Sequence, residues 1–297
     1  MPPSNPPEIL TGAAFEETAT GLRWKGVLAA DHLIFAGHFA GEPILPAVVQ
    51  LELVRAAAAK SLGEPCWLRS IEHSRFRQVL RPGDAVEVQV EVIREKGVTA
   101  DVSHGQEVGL RFSVRSGERL VMSGGGLLGR EEGGSPAGVG GAAEPSPAAG
   151  GEKTPDRYPA PGGLLPHSYP ALLVQRIEEV SSEAIACSGA IPAGYGLVAA
   201  GTAPSFLGLE AGAQAAGLFE ALQRGGAGGG ARAGYVVGLR DTRMAVARLP
   251  AETPFQIVAR RSGGAESLAV FDVELLAGGR TLVRGTISVF LPPAHRA

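Results

Sequence analysis

The sequence predicts an α+β protein that uses one plan twice, each copy an antiparallel sheet wrapped around a long buried helix. Three observations carry this: the composition breaks in the middle of the 297 residues, two segments of helical length are apolar on nearly every side, and each is followed by a train of strands. From 131 to 163 the chain is almost entirely Gly, Ala, Pro, Ser and Glu, with no aromatic residue before Tyr158. Such a stretch cannot bury enough apolar surface to offset its ordering entropy. It reads as a flexible tether, spanning ~30 Å as a coil of about 30 residues. The expected boundaries are 8–130 for the first globular unit, 131–163 for the linker and 164–293 for the second.

In the first unit, residues 22–28 read as a strand and 47–62 as a helix, opened by Pro46 and stopped before Gly63. Val48, Val49, Leu51, Leu53, Val54 and the alanines at 56–59 leave that helix little polar face, so it must be buried nearly all round. Strands are expected at 68–76, 85–95, 97–102, 107–115 and 119–126, with turns at Pro82-Gly83-Asp84 and Ser116-Gly117-Glu118. The run from Val86 to Val92 alternates apolar and polar residues, the mark of a sheet with one wet face. The second unit repeats the order: strands at 171–180 and 184–191, a helix at 205–223 ending at Gly225-Gly226, then strands at 234–244, 254–261, 266–276 and 281–290. One long helix wrapped by an antiparallel sheet is the hotdog layout. Two of them, packed as a pseudo-dimer, make a double hotdog.

Charge and composition narrow the function. Lys and Arg number 27 against 30 Asp and Glu, which argues against a general nucleic-acid binder. Two cysteines, Cys66 and Cys187, lack metal-ligand spacing and read as reduced thiols. Met1 to Pro7 has neither the positive start nor the apolar core of a signal peptide. No apolar run approaches the ~18 to 20 residues that span a bilayer, so a cytoplasmic location is expected. The glycines at 225–230 follow a helix instead of opening one and lack a Lys-Ser/Thr pair, so they are a connection and not a phosphate loop.

Chemistry concentrates in Phe35-Ala36-Gly37-His38-Phe39-Ala40-Gly41-Glu42-Pro43-Ile44-Leu45-Pro46-Ala47. A glycine-bounded turn sets His38 beside the start of an apolar helix. Imidazole exchanges protons near neutral pH, and the free N–H groups of a helix start can polarise a carbonyl. This points to acid–base work on an acyl substrate. His32, His73, His104 and His295 have no partner pattern, and His167 reads as support for its own loop.

These residues resemble a known family. Gly37-His38-Phe39-x-Gly41-x-Pro43-x-x-Pro46, with Glu52 fourteen residues after His38, is similar to the active-site signature of the 3-hydroxyacyl-acyl carrier protein dehydratases. The segment from Phe76 to Asp84 is similar to a second family stretch. In the other half, Leu165 to Arg176 resembles the family's leading segment, and Glu210-Ala211-Gly212-Ala213-Gln214 resembles its helix. The details lean toward the paired dehydratases of aryl polyene and related type II polyketide pathways, here fused. Ala40 and Ala47 stand where the family usually has Pro and Gly. Fourteen residues before Glu210 stands Gly196, so the second half has no matching histidine.

What the resemblance implies is a single composite site: His38 from one lobe with Glu210 from the other, as in dehydratase domains of modular polyketide synthases. Gln214, one helical turn beyond Glu210, would hold it. Glu52 would be structural or vestigial. The implied reaction removes water from a (3R)-hydroxyacyl thioester. In it, neutral His38 takes the proton beside the carbonyl, and Glu210, kept protonated by its apolar helix, serves the departing hydroxyl. Ser205 and Ala47, each at a helix start, are both open as the source of the carbonyl-binding N–H. No metal or bound cofactor is expected, because phosphopantetheine would arrive with an acyl carrier protein. Arg69, Arg75, Arg77 and Arg81 could meet that carrier or be ordinary wet-face charges. Ketosynthase and ketoreductase partners and a homo-oligomer are compatible with this reading. Competing readings are a hydratase or thioesterase acting on coenzyme A thioesters, and a non-catalytic partner of a polyketide synthase.

Overall fold

The computed structural model describes residues 9–93, 108–130, 157–225, 234–265 and 267–292. The strand expected at 97–102, the linker from 131 to 156 and glycines 226, 228, 229 and 230 lie outside them. The first lobe opens with the hairpin β1 (Leu10–Thr18) and β2 (Gly21–Leu28), passes a 3-10 turn at Leu33–Phe35 and enters α1 (Gln50–Leu62). Then come β3 (Cys66–Phe76), β4 (Ala85–Ile93), β5 (Val108–Ser116) and β6 (Arg119–Arg130). The second lobe runs β7 (Val174–Val180), β8 (Ala184–Gly189), β9 (Thr202–Pro204), α2 (Leu207–Gln223), β10 (Tyr235–Met244), β11 (Arg248–Pro250), β12 (Phe255–Ala265), β13 (Leu268–Ala277) and β14 (Arg280–Phe290).

All but the short β9–β11 pair join one antiparallel sheet in the order β1-β2-β4-β5-β6-β3-β10-β14-β13-β12-β8-β7. Counted inward from the two ends, β1 matches β7, β2 matches β8, β4 matches β12, β5 matches β13, β6 matches β14 and β3 matches β10. This is the double hotdog, with the seam at β3–β10, where Leu239 pairs with Ser74 and Thr242 with Ile71. Thr242 seals the seam by side chain: its Oγ1 accepts from Ile71 N at 2.9 Å and donates to Ile71 O at 3.2 Å. A single contiguous core runs through both lobes, from Trp24 and Leu51 to Phe219 and Phe271.

Each helix sits where its composition puts it. Gly63 ends α1 in the left-handed region, φ 74°, a conformation that glycine adopts without steric cost. Regular helix begins at Gln50 and not at 47. The chain from Pro46 first makes tight i to i−3 turns (Val49 N to Pro46 O, 3.0 Å; Gln50 N to Ala47 O, 3.2 Å). On α2, a Cβ at Gly212 would lie 2.9 Å from Val273 Cβ, so its absence lets the helix settle onto the sheet. The linker also ends earlier than its composition suggests. Tyr158 accepts from Val180 N at 3.2 Å, and Pro161 is buried in a 3-10 turn at Pro161–Gly163. One aromatic and one proline give that tail enough apolar surface to pack.

Candidate active site

The loop carrying His38 is closed on itself. Ile44 N donates to His38 O at 2.9 Å, and His38 Nδ1 lies 3.1 Å from Ile44 O. A carbonyl oxygen can only accept, so Nδ1 carries the proton and Nε2 is left with its lone pair. The loop is also stapled to the other lobe. Gly37 has φ 78°, a Cβ there would sit 2.2 Å from Ser168 O, and Gly37 O accepts from Ser168 N at 3.0 Å. Only glycine lets the two chains approach so closely.

Glu210 projects from the first turn of α2 and is 4% exposed. Its Oε1 faces two donors, Gln214 Nε2 at 3.2 Å and His167 Nε2 at 3.5 Å. Gln214 is itself fixed: its Oε1 accepts from Leu173 N at 2.8 Å, and its Nε2 also donates to Ala171 O at 2.8 Å. The ring of His167 meets His38 edge-on, centroids 5.0 Å apart, and Phe39 at 4.9 Å. One nitrogen from each imidazole and one Glu210 oxygen lie within 4.8 Å of one another. The structure therefore brings His38 and Glu210 together across the lobes.

Their charge states follow from the surroundings. Burial drives the His38 imidazolium down to about 4, against the raising effect of the Glu210 carboxylate. The imidazole is therefore neutral at neutral pH. Burial also pushes Glu210 up, but the hydrogen bond from His167, the charges of His38 and His167, and the Gln214 contact outweigh it and leave Glu210 below its ordinary value. The expectation that its apolar helix keeps Glu210 protonated is corrected here, because polar groups from other segments converge on that helix face.

The two groups open on a cavity of about 330 Å³ built from both lobes. Phe39, Ala47, Gln50 and His167 line it with them, while Arg77 and Arg224 are also part of its wall. Gln50 Oε1 is buried there with no hydrogen-bond partner among the described residues. Ser205 is not among the lining residues; it is 2% exposed and its N–H is spent on Ala247 O at 3.1 Å. Of the two residues left open at the helix starts, Ala47 lines the cavity and Ser205 does not.

The mirror-image position is closed. A Cβ at Gly196 would lie 2.6 Å from Ile34 N, so the 3-10 turn at Leu33–Phe35 fills the space a second histidine would need. Glu52, 4% exposed, gives both oxygens to Arg55, at 2.6 and 2.8 Å. Both oxygens are thereby engaged, and Glu52 is not among the residues that line the cavity. Two groups near Glu210 were not assigned chemistry from sequence. His167 lies 43 residues away in the chain, and Tyr195, beside Gly196, has a buried hydroxyl without a partner among the described residues and is pushed well above the ordinary phenol value by burial and then by Glu210. Counting fourteen back from Glu210 lands on Gly196, the neighbour of Tyr195; His167 falls within the segment from Leu165 to Arg176, but nothing there marks it as a partner of Glu210.

The chain is similar to known dehydratases. Residues 159–297 match the ApeP dehydratase family and residues 15–117 the ApeI dehydratase family. The 3-hydroxyacyl-[acyl-carrier-protein] dehydratase FabZ of Anaeromyxobacter sp. (strain Fw109-5) is 35% identical over 108 residues, 32% of this chain and 68% of that protein. FabZ of Haemophilus influenzae (strain PittEE) is 44% identical over 82 residues, 25% of this chain and 55% of that one. Among solved structures, the dehydratase domain of PpsC from Mycobacterium tuberculosis shares the fold with a TM-score of 0.59 at 14% identity, over 97% of this chain and 99% of that one.

Proposed function

We propose, for a chain that belongs to the 3-hydroxyacyl-[acyl-carrier-protein] dehydratase family, that it removes water from a (3R)-hydroxyacyl thioester at one composite site, with His38 as base and Glu210 as its partner. The observation that carries this is the meeting of a neutral imidazole from one lobe and an ionised carboxylate from the other within 4.8 Å, in a shared cavity.

The steps follow from those charge states. His38 Nε2 takes a proton from the carbon beside the thioester carbonyl, and the electron pair left behind forms the carbon–carbon double bond as the carbon–oxygen bond breaks. The hydroxyl is held by Glu210, which accepts its hydrogen bond. It departs as water, taking the proton that His38 has just gained, so the protein ends as it began. Ala47, in the turn that opens α1, supplies the N–H for the carbonyl oxygen, where negative charge develops. Phosphopantetheine is part of the substrate in this reading, and Arg77 and Arg224 in the cavity wall suit its phosphate and an acidic carrier protein.

The test is turnover of a 3-hydroxyacyl carrier protein, and of the matching coenzyme A thioester, read by mass spectrometry as loss of water. His38→Ala and Glu210→Ala are expected to lower kcat by about 10² to 10⁴-fold, with Glu52→Ala close to wild type and the carrier-bound substrate preferred. Full activity in His38→Ala, or a dead Glu52→Ala with a working Glu210→Ala, would overturn the composite site.

A further inference from the structure

We propose that His167 is a positioning residue for Glu210: it donates from Nε2 to Oε1, and with Gln214 on that same oxygen it leaves Oε2 to the substrate hydroxyl. This rests on the dehydratase reading of the site and adds to it a residue from the segment of the second lobe that precedes β7. The geometry has three parts. Two donors, at 3.2 and 3.5 Å, converge on one carboxylate oxygen, while Oε2 has no protein partner among the described residues. The His167 side chain is 9% exposed, and its Nδ1 is buried without a partner among the described residues, so Nε2 is the ring atom that interacts with them. Its backbone is pinned to the His38 loop through Ser168 N and Gly37 O, and its ring packs against both His38 and Phe39. One residue thereby ties the acid's orientation to the base's loop.

A carboxylate with one oxygen held by two donors is confined to a single rotamer, and confinement of a reacting group is worth large factors in rate. The groups facing Glu210 are His38 from the first-lobe loop, His167 from the segment before β7, Tyr195 from the loop after β8 and uncharged Gln214 from α2 itself. His167 is among those that favour the ionised carboxylate. Its removal therefore lets Glu210 take up a proton at higher pH, and the acid limb of the rate profile should move upward.

Two variants decide the matter. In His167→Gln the side-chain amide nitrogen reaches where Nε2 stood and still donates, but it cannot carry a proton on and off. In His167→Ala the donor is gone. His167→Ala is expected to lose kcat by about 10²-fold with its acid limb displaced to higher pH, while His167→Gln stays within about 5-fold of wild type with an undisplaced limb. A His167→Ala enzyme with wild-type kcat and pH profile would overturn the proposal. So would a His167→Gln as impaired as His167→Ala, because His167 would then act through its own proton. Should the alanine variant misfold by circular dichroism, the glutamine variant alone decides. Loss of activity in His38→Ala and Glu210→Ala with an unaffected His167→Ala would remove this inference and leave the dehydratase reading standing; full activity in all three would remove both.

Discussion

Burial of His38 makes the fold sensitive to acid. His38 titrates near 4 in the folded chain against 6.5 for a free imidazole, because burial disfavours its charge. Between those values the unfolded chain holds a proton that the folded chain refuses, so stability falls as pH drops through the window. The slope is about 1.4 kcal/mol per pH unit, and the total is about 3 kcal/mol. It is fully present above 6.5 and lost as pH falls toward 4. Glu210, whose folded value is lowered, pushes in the same direction at the acid end. His38→Asn should therefore flatten the curve of denaturation midpoint against pH between 6.5 and 4.5, and an unchanged slope in that variant would contradict the burial argument. At this scale the sequence was readable where a local pattern carries the residue. The glycine-flanked His38 and the four-residue step from Glu210 to Gln214 are such patterns. His167 was not, because its contact with Glu210 joins positions 43 residues apart within the second lobe, which no local spacing reports, and Ser205 misled because the start of α2 is already occupied by the backbone of the β10–β11 connection.

Among the elements, those with a buried face were legible and those without one were not. The helices and the alternating strands declared themselves through apolar spacing. Strand β1 did not. It lies at the sheet edge with seven consecutive exposed residues, so no period-two signal marks it, and it is held instead by stacking of Phe15 on Trp24 at 5.4 Å. The three-residue strands β9 and β11 are too short for any pattern. The two helices, equal on paper, diverge in their work: α1 spends its acid on Arg55, whereas α2 keeps its acid for the cavity and uses glycines to lie close to the sheet. Gly212→Leu should expose the second difference. Its side chain would enter space held by Val273, and overpacking of this kind costs about 1–3 kcal/mol, read as a lower denaturation midpoint. A variant as stable as wild type would mean that α2 has room to shift off the sheet.

The whole molecule is less divisible than its composition implies. A linker between two similar halves suggests two domains that unfold separately, yet the sheet runs unbroken through β3 and β10 and the core passes through both lobes. The cavity needs the same union, since His38 and Glu210 come from opposite lobes. Thr242 offers a handle on that cooperation. Replaced by valine, a near isostere, it leaves Ile71 N–H and C=O without their side-chain partner in a position only 1% exposed. An unsatisfied buried group costs about 1–3 kcal/mol. Scanning calorimetry of the wild-type chain should give one transition, and Thr242→Val should carry that entire transition to lower temperature. Two transitions, of which the variant moves neither or only one, would mean that the lobes are stable alone and that the seam is a contact between finished domains. In that case the composite site would survive thermal loss of one lobe's fold only as separated halves, and dehydration activity should vanish at the lower transition. With a single transition, activity and structure should disappear together, because the seam that unites the sheet is also what keeps His38 within reach of Glu210.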